Sequence, residues 1–153
     1  MNIFGALRRN EPEYYANTDR VDINIKEFGQ NLRHQAIAQR KTQIALDLID
    51  RGIDLNCQDH NGQTPLHFLG MHPNRELADR ILESGGNLSV RDIYGNTPLW
   101  TAVANPKRDY DLIQVLVDHG ADPASTNNVG KAPIDVAEQS QDERLKSILL
   151  SHK

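Results

Sequence analysis

Cys57, His60, His67 and His72 lie in one short stretch of the chain, and cysteine and histidine at close spacing are the side chains that hold zinc. Their spacing fits no zinc pattern, and His67 belongs to a hexapeptide that recurs elsewhere, so a structural role is expected for it and no metal ligand is assigned. Hydrolytic chemistry needs a nucleophile beside an oriented base, or two carboxylates in one cleft. No such pairing stands out. Asp59, Asp92 and Asp122 recur at repeat-specific places and read as turn and finger residues. A glycine-rich phosphate loop, a helix-borne metal motif and a dinucleotide fingerprint are all missing from the sequence. The expectation is therefore a chain with no catalytic residues, no cofactor and no metal.

The hexapeptide is the stronger signal. Gly62-Gln63-Thr64-Pro65-Leu66-His67 recurs 33 residues on as Gly95-Asn96-Thr97-Pro98-Leu99-Trp100. It returns after a further 35 as Gly130-Lys131-Ala132-Pro133-Ile134-Asp135. Counting back 33 from Gly62 reaches Gly29, which precedes Gln30-Asn31-Leu32-Arg33-His34. A second marker keeps the same phase, with Gly52, Gly85 and Gly120 in Arg51-Gly52-Ile53-Asp54, Ser84-Gly85-Gly86-Asn87 and His119-Gly120-Ala121-Asp122. Two markers with one period define a repeat array.

Each marker has a local physical meaning. Thr64 and Thr97 can cap a helix, and Pro65, Pro98 and Pro133 sit where a missing N–H costs nothing. Asn31 stands at the capping place of the first unit, without a following proline, and Ala132 stands where the fourth cap belongs, a loss worth about 1 kcal/mol. The second glycines suit the left-handed residue just past a helix end. Between start and stop, Ile44, Ala45, Leu48 and Ile49, then Leu77, Ala78, Ile81 and Leu82, then Leu112, Ile113, Leu116 and Val117 fall at helical spacing. Each unit is thus a short helix, a turn, an amphipathic helix and an extended finger, and none can bury its stripe without a neighbour. Asp54, Asn87 and Asp122 are expected to cap the turn after each second helix.

With these residues in view the chain resembles the ankyrin repeat, whose units carry Thr-Pro-Leu-His and a later Gly-Ala-Asp, from about Asp22 to Leu150. The resemblance implies an all-α solenoid of about four helix-turn-helix repeats. The expected division is a partial capping repeat over 1–28, repeats over 29–61, 62–94 and 95–129, and a C-terminal capping repeat over 130–153. The last helix, Glu143 to Leu150, keeps Leu145, Ile148 and Leu149 on one side and polar residues on the other, as a closing unit should.

Bulk properties narrow the partner. With 17 Lys and Arg against 21 Asp and Glu, the net charge is −4, which argues against a phosphate-neutralising surface and for a basic or neutral partner. One cysteine cannot make an internal disulfide, no leader-like run opens the sequence, and the mean hydropathy is −0.60. A cytosolic monomer is expected, binding neither membrane nor nucleic acid.

Ankyrin proteins generally make contacts through turn tips and the concave side of the first helices. By internal alignment those positions include Glu27, Phe28, His60, Asn61, Ile93, Tyr94, Asn128 and Val129. Phe28, Ile93 and Tyr94 are apolar or aromatic where a plain turn favours small polar residues, and tyrosine is enriched at binding hot spots. Trp100 replaces the motif histidine beside the groove. Repeat three has two extra residues within Ala104–Asp111, which makes Arg108 and Tyr110 candidate loop contacts. The run from Tyr94 to Trp100, the lengthened Lys107-Arg108-Asp109-Tyr110 segment and Gly120-Ala121-Asp122-Pro123 are together similar to small bacterial ankyrin proteins, including immunity proteins of polymorphic toxin systems. That resemblance implies a non-catalytic inhibitor of a basic toxin domain. The second reading is a regulatory ankyrin protein that docks on a kinase or a transcription factor, and the third, least favoured, is a metal-dependent enzyme using the cluster of Cys57, His60, His67 and His72.

Overall fold

The structure, a computed structural model, describes residues 26–27, 30–38 and 40–151, with side-chain environments from His34 onward except at Gln35. Apart from Lys26 and Glu27, the expected N-terminal partial repeat over 1–28, with Phe28 in it, lies outside that range, as do Gly29 and the last two residues. Eight helices follow one another among the described residues: α1 Leu32–Ala38, α2 Thr42–Asp50, α3 Pro65–Met71, α4 Arg75–Glu83, α5 Pro98–Ala104, α6 Tyr110–Asp118, α7 Pro133–Ser140 and α8 Glu143–Leu149. The chain is an all-α repeat solenoid. Two two-residue strands, β1 Lys26–Glu27 and β2 Gln30–Asn31, pair antiparallel ahead of α1. They were not expected, yet later turns repeat part of the same hairpin. Asp59, Asp92 and Asn127 each donate a backbone N–H to the carbonyl four residues on.

Helices of 7 to 9 residues are too short to persist alone, since isolated helices are marginal below ~12–15 residues. Stacking holds them. Helices α1, α3, α5 and α7 pack in one row and α2, α4, α6 and α8 in another. Between the rows runs one continuous core whose largest fully buried side chains are Ile37, Ile44, Leu48, Leu66, Leu69, Ile81, Leu99 and Leu112. Burying an aliphatic side chain of this size contributes about 1.5–3 kcal/mol. Gly70 sets the close approach of α3 to α5, because a Cβ there would stand 2.8 Å from the backbone nitrogen of Ala102.

The helix starts differ in detail from expectation. Thr97 does cap α5, its hydroxyl accepting from Trp100 N at 3.4 Å. At α3 the Thr64 hydroxyl instead pairs with His67 Nδ1 at 2.8 Å. Ala132 has no capping oxygen, but the deficit is partly met from the other direction, for the Asp135 carboxylate accepts from Ala132 N at 2.8 Å. Three of the second helices, α4, α6 and α8, are capped by residues that the repeat pattern did not single out. Asn74, Asp109 and Asp142 accept from Leu77, Leu112 and Leu145 N–H groups.

Candidate functional site

The hairpin turns are built from acceptor side chains. Oδ1 of Asp59 accepts from Asn61 and Gln63 N–H groups, each at 2.9 Å. Asp92 does the same for Tyr94 and Asn96, each at 2.9 Å. In the next unit Asn127, not Asp122, takes this role, accepting from Val129 at 3.1 Å and Lys131 at 3.0 Å. Asp122 belongs instead with Asp54 and Asn87, each accepting from the N–H two residues on. Consecutive tips are then tied together. Ile93 N donates to Asn61 O and Asn128 N to Tyr94 O, both at 3.0 Å. The tips form a rigid row, which lowers the ordering cost of binding.

A second set of bonds joins turns to first helices across repeats. His34 Nε2 lies 2.8 Å from Gln63 O, and His67 Nε2 lies 2.9 Å from Asn96 O. His67 also accepts from Thr64 N on Nδ1 at 3.0 Å, so its proton sits on Nε2 and is donated to Asn96. Burial holds this imidazole below the usual histidine range. Trp100 occupies the same place one repeat later and makes no such bridge. It stands half-buried in the wall of a groove of about 420 Å³.

That groove brings together residues from the tips and from the first helices: Tyr94, Asp92 and Asn96 on one side, Met71, Trp100 and Thr101 on the other. Met71 was missed by the sequence reading, although it lies one helical turn beyond His67, as Ala104 lies one turn beyond Trp100. Exposure marks this side of the molecule. Among described residues the large exposed hydrophobics are Met71 (44%), Ile93 (53%), Tyr94 (63%), Val129 (79%) and Leu150 (38%). All but Leu150 belong to the tips or a first helix. Ile93 does not pack away against its neighbouring finger.

The remaining candidates separate. His60 and Asn61 are exposed at their tip. Asn128 is exposed but structurally engaged, its side-chain amide donating to Ile93 O at 3.0 Å. Glu27 lies in β1, and Phe28 falls outside the described residues. Arg108 and Tyr110, expected in a contact loop, turn inward to the last repeat. Asp142 Oδ2 accepts from Arg108 at 3.0 Å and from the Tyr110 hydroxyl at 2.7 Å. The Arg144 guanidinium sits 4.3 Å over the Tyr110 ring. These bonds draw the Asp142 carboxyl below the usual carboxylate range, with the Leu145 N–H the leading cause, and push the Tyr110 hydroxyl up. The inserted loop is a joint, not a free arm.

Cys57, His60, His67 and His72 do not converge. Cys57 is buried, His60 projects from a tip, His67 is occupied on both nitrogens, and His72 lies at the α3–α4 turn. No group of three or more His, Cys, Asp or Glu among the described residues is placed to hold a metal ion. None of the helices described is long and apolar enough to cross a membrane.

A row of tied tips beside a groove, carried by stacked helical hairpins, defines a repeat module that presents a contact face. Residues 33–127 match the family of ankyrin repeats, in three copies, and the chain belongs to that family. Ankyrin repeats indicate a protein–protein interaction module. The chain is 33% identical over 103 residues to an ankyrin repeat-containing protein of Schizosaccharomyces pombe, covering 67% of this chain and 48% of that one. It is 35% identical over 99 residues to NF-kappa-B inhibitor alpha of Gallus gallus, covering 62% and 30%. An ankyrin repeat protein of Fowlpox virus is 31% identical over 140 residues, covering 86% and 41%. The chain thus spans less than half the length of these relatives.

Proposed function

We propose that this protein binds a partner protein across the tips and the groove and inhibits it stoichiometrically, by covering the surface that the partner needs for its own work. The observation that carries this reading is the exposure of Ile93, Tyr94 and Val129 at 53%, 63% and 79% on a row of turns made rigid by backbone bonds. Large apolar groups left in water on an ordered frame fit a binding surface better than a structural turn. His60, Asn61, Asn128 and Trp100 complete the face. Arg108 and Tyr110 leave the contact set, because Nη1 of Arg108 and the Tyr110 hydroxyl both bond Asp142 of the last repeat.

The partner we favour is a basic protein, a toxin domain of the kind implied by the sequence resemblance, met in the cytosol. Its support is the net charge of −4, since opposite charge speeds capture. The similarity to a protein named NF-kappa-B inhibitor alpha supports inhibition as the mode of action. It also favours the second reading, a regulator of a cellular protein in place of a toxin. The test is capture of partners from the source cell by the wild-type chain and by an Ile93→Asp, Val129→Asp variant, together with co-expression beside the toxin from the neighbouring open reading frame. The proposal expects a partner retained only by the wild type, and protection from that toxin. Equal capture by both chains sinks the tip-and-groove reading, and growth arrest despite co-expression sinks the toxin reading.

A further inference from the structure

The groove contains one carboxylate, two aromatic rings and no lysine or arginine. Asp92, Tyr94 and Trp100 line it with Gln63, Asn96, Asn105 and Met71. Asp92 is 8% exposed, and both of its turn bonds fall on Oδ1. Oδ2 takes no hydrogen bond among the described residues. Two arginines of the neighbouring segments are already committed elsewhere. Arg91 reaches Thr126 O at 2.8 Å and Ser125 Oγ at 3.0 Å, and Arg108 reaches Asp142. His67, close enough to feel the Asp92 charge, is held neutral by burial. A shielded carboxylate beside aromatic faces is left without a positive partner, and a planar guanidinium satisfies both at once, through a charge-assisted hydrogen bond and stacking on a ring.

We propose that this groove is a receptor for one arginine side chain of the protein partner, seated against Asp92 between Tyr94 and Trp100. The inference rests on the tips and groove being the partner-facing side. It specifies what that side reads: an exposed arginine, with the Gln63 amide at the rim to bond the partner's backbone, while Asn105 is engaged by Gly70 O and Lys107 N and Asn96 Oδ1 by Asn127.

Trp100 is the only tryptophan in the chain, so fluorescence excited selectively at tryptophan reports on this groove. Argininamide is titrated into the protein at millimolar concentration, with citrullinamide, its uncharged isostere, in parallel. A saturable change with argininamide and none with citrullinamide is expected. Asp92→Asn keeps the acceptor for both turn bonds, as Asn127 does naturally one repeat later, and removes only the charge. It is expected to weaken argininamide at least about ten-fold. Tyr94→Ala, at a position 63% exposed, is expected to weaken it without disturbing the fold. Equal responses to the two amides, no response to either, or unchanged affinity in both variants would overturn the proposal. If such a failure came while the Ile93, Val129 variant still lost its partner, protein binding would stand and the arginine receptor would not.

Discussion

Two buried or half-buried polar residues, His67 and Asp142, make the stability of this molecule depend on pH. His67 is held neutral by burial, so its folded-state pKa lies below the ordinary 6.5 of the unfolded chain. As the pH falls below about 6.5 the unfolded chain takes up its proton first, and stability erodes from there down to the folded-state pKa. Thermal unfolding followed from pH 7.5 to pH 5.5 should show a falling midpoint, with a shallower slope in His67→Gln. An equal slope in that variant would remove His67 from the account. Asp142 acts in the same sense, in a lower pH window. Its folded-state pKa is depressed, so its contribution is complete above the ordinary carboxylate value and is lost as the pH falls through the folded-state value. Asp142→Ala removes the cap of α8 and the partner of Arg108 and Tyr110, and should cost about 1–2 kcal/mol. Hydrogen exchange should show α7 and α8 opening before the rest of the stack. No local pattern marks this role: both partners lie more than thirty residues away from Asp142, and the charged, aromatic loop alone suggested a surface arm.

Helix starts and stops were legible because they are local. Proline at the first turn and glycine past the last are written within a few residues, and α3, α5 and α7 all begin at the expected prolines. What escaped was set by register and by distance. The 35-residue spacing placed Asn127 where an aspartate was sought beside Asp59 and Asp92, whereas the grouping of Asp122 with Asp54 and Asn87 agrees with their shared turn bonds. The turn of the Thr64 hydroxyl toward His67 depends on a rotamer that no local pattern records. Ala132→Thr should add the missing cap of α7 and stabilise the protein by about 0.5–1 kcal/mol in chemical denaturation; a loss of stability would mean that Asp135 already supplies all the site can use. The turn glycines differ in what surrounds them. Gly95 has φ +78 and a Cβ there would meet the backbone nitrogen of Asn128 at 2.8 Å, whereas Gly130, at φ +76, faces open space. Gly95→Ala should therefore cost more than Gly130→Ala, by about 1 kcal/mol or more. Equal costs would show that backbone conformation alone matters at these turns.

At the scale of the whole molecule, stability and function come from the same arrangement. Each helical pair rests only on its neighbours, so the array holds its shape through nearest-neighbour contacts, and the tip row inherits that rigidity. The repeat architecture followed from spacing alone; the face it presents did not. Ile93, Tyr94 and Val129 were visible as odd residues at turns, but their joint exposure, the groove beside them and the inclusion of Met71 depend on how successive units are aligned. The withdrawal of Arg108 and Tyr110 from that face depends on the final repeat folding back against the insertion. The central claim is that this protein meets its partner with tips and groove. Amide hydrogen exchange of the protein alone and with its captured partner tests it most directly. Slowed exchange at residues 93–94, 100–106 and 128–129, with α2, α4 and α6 unchanged, is the predicted result. Protection confined to those second helices, with the tips exchanging as before, would contradict it.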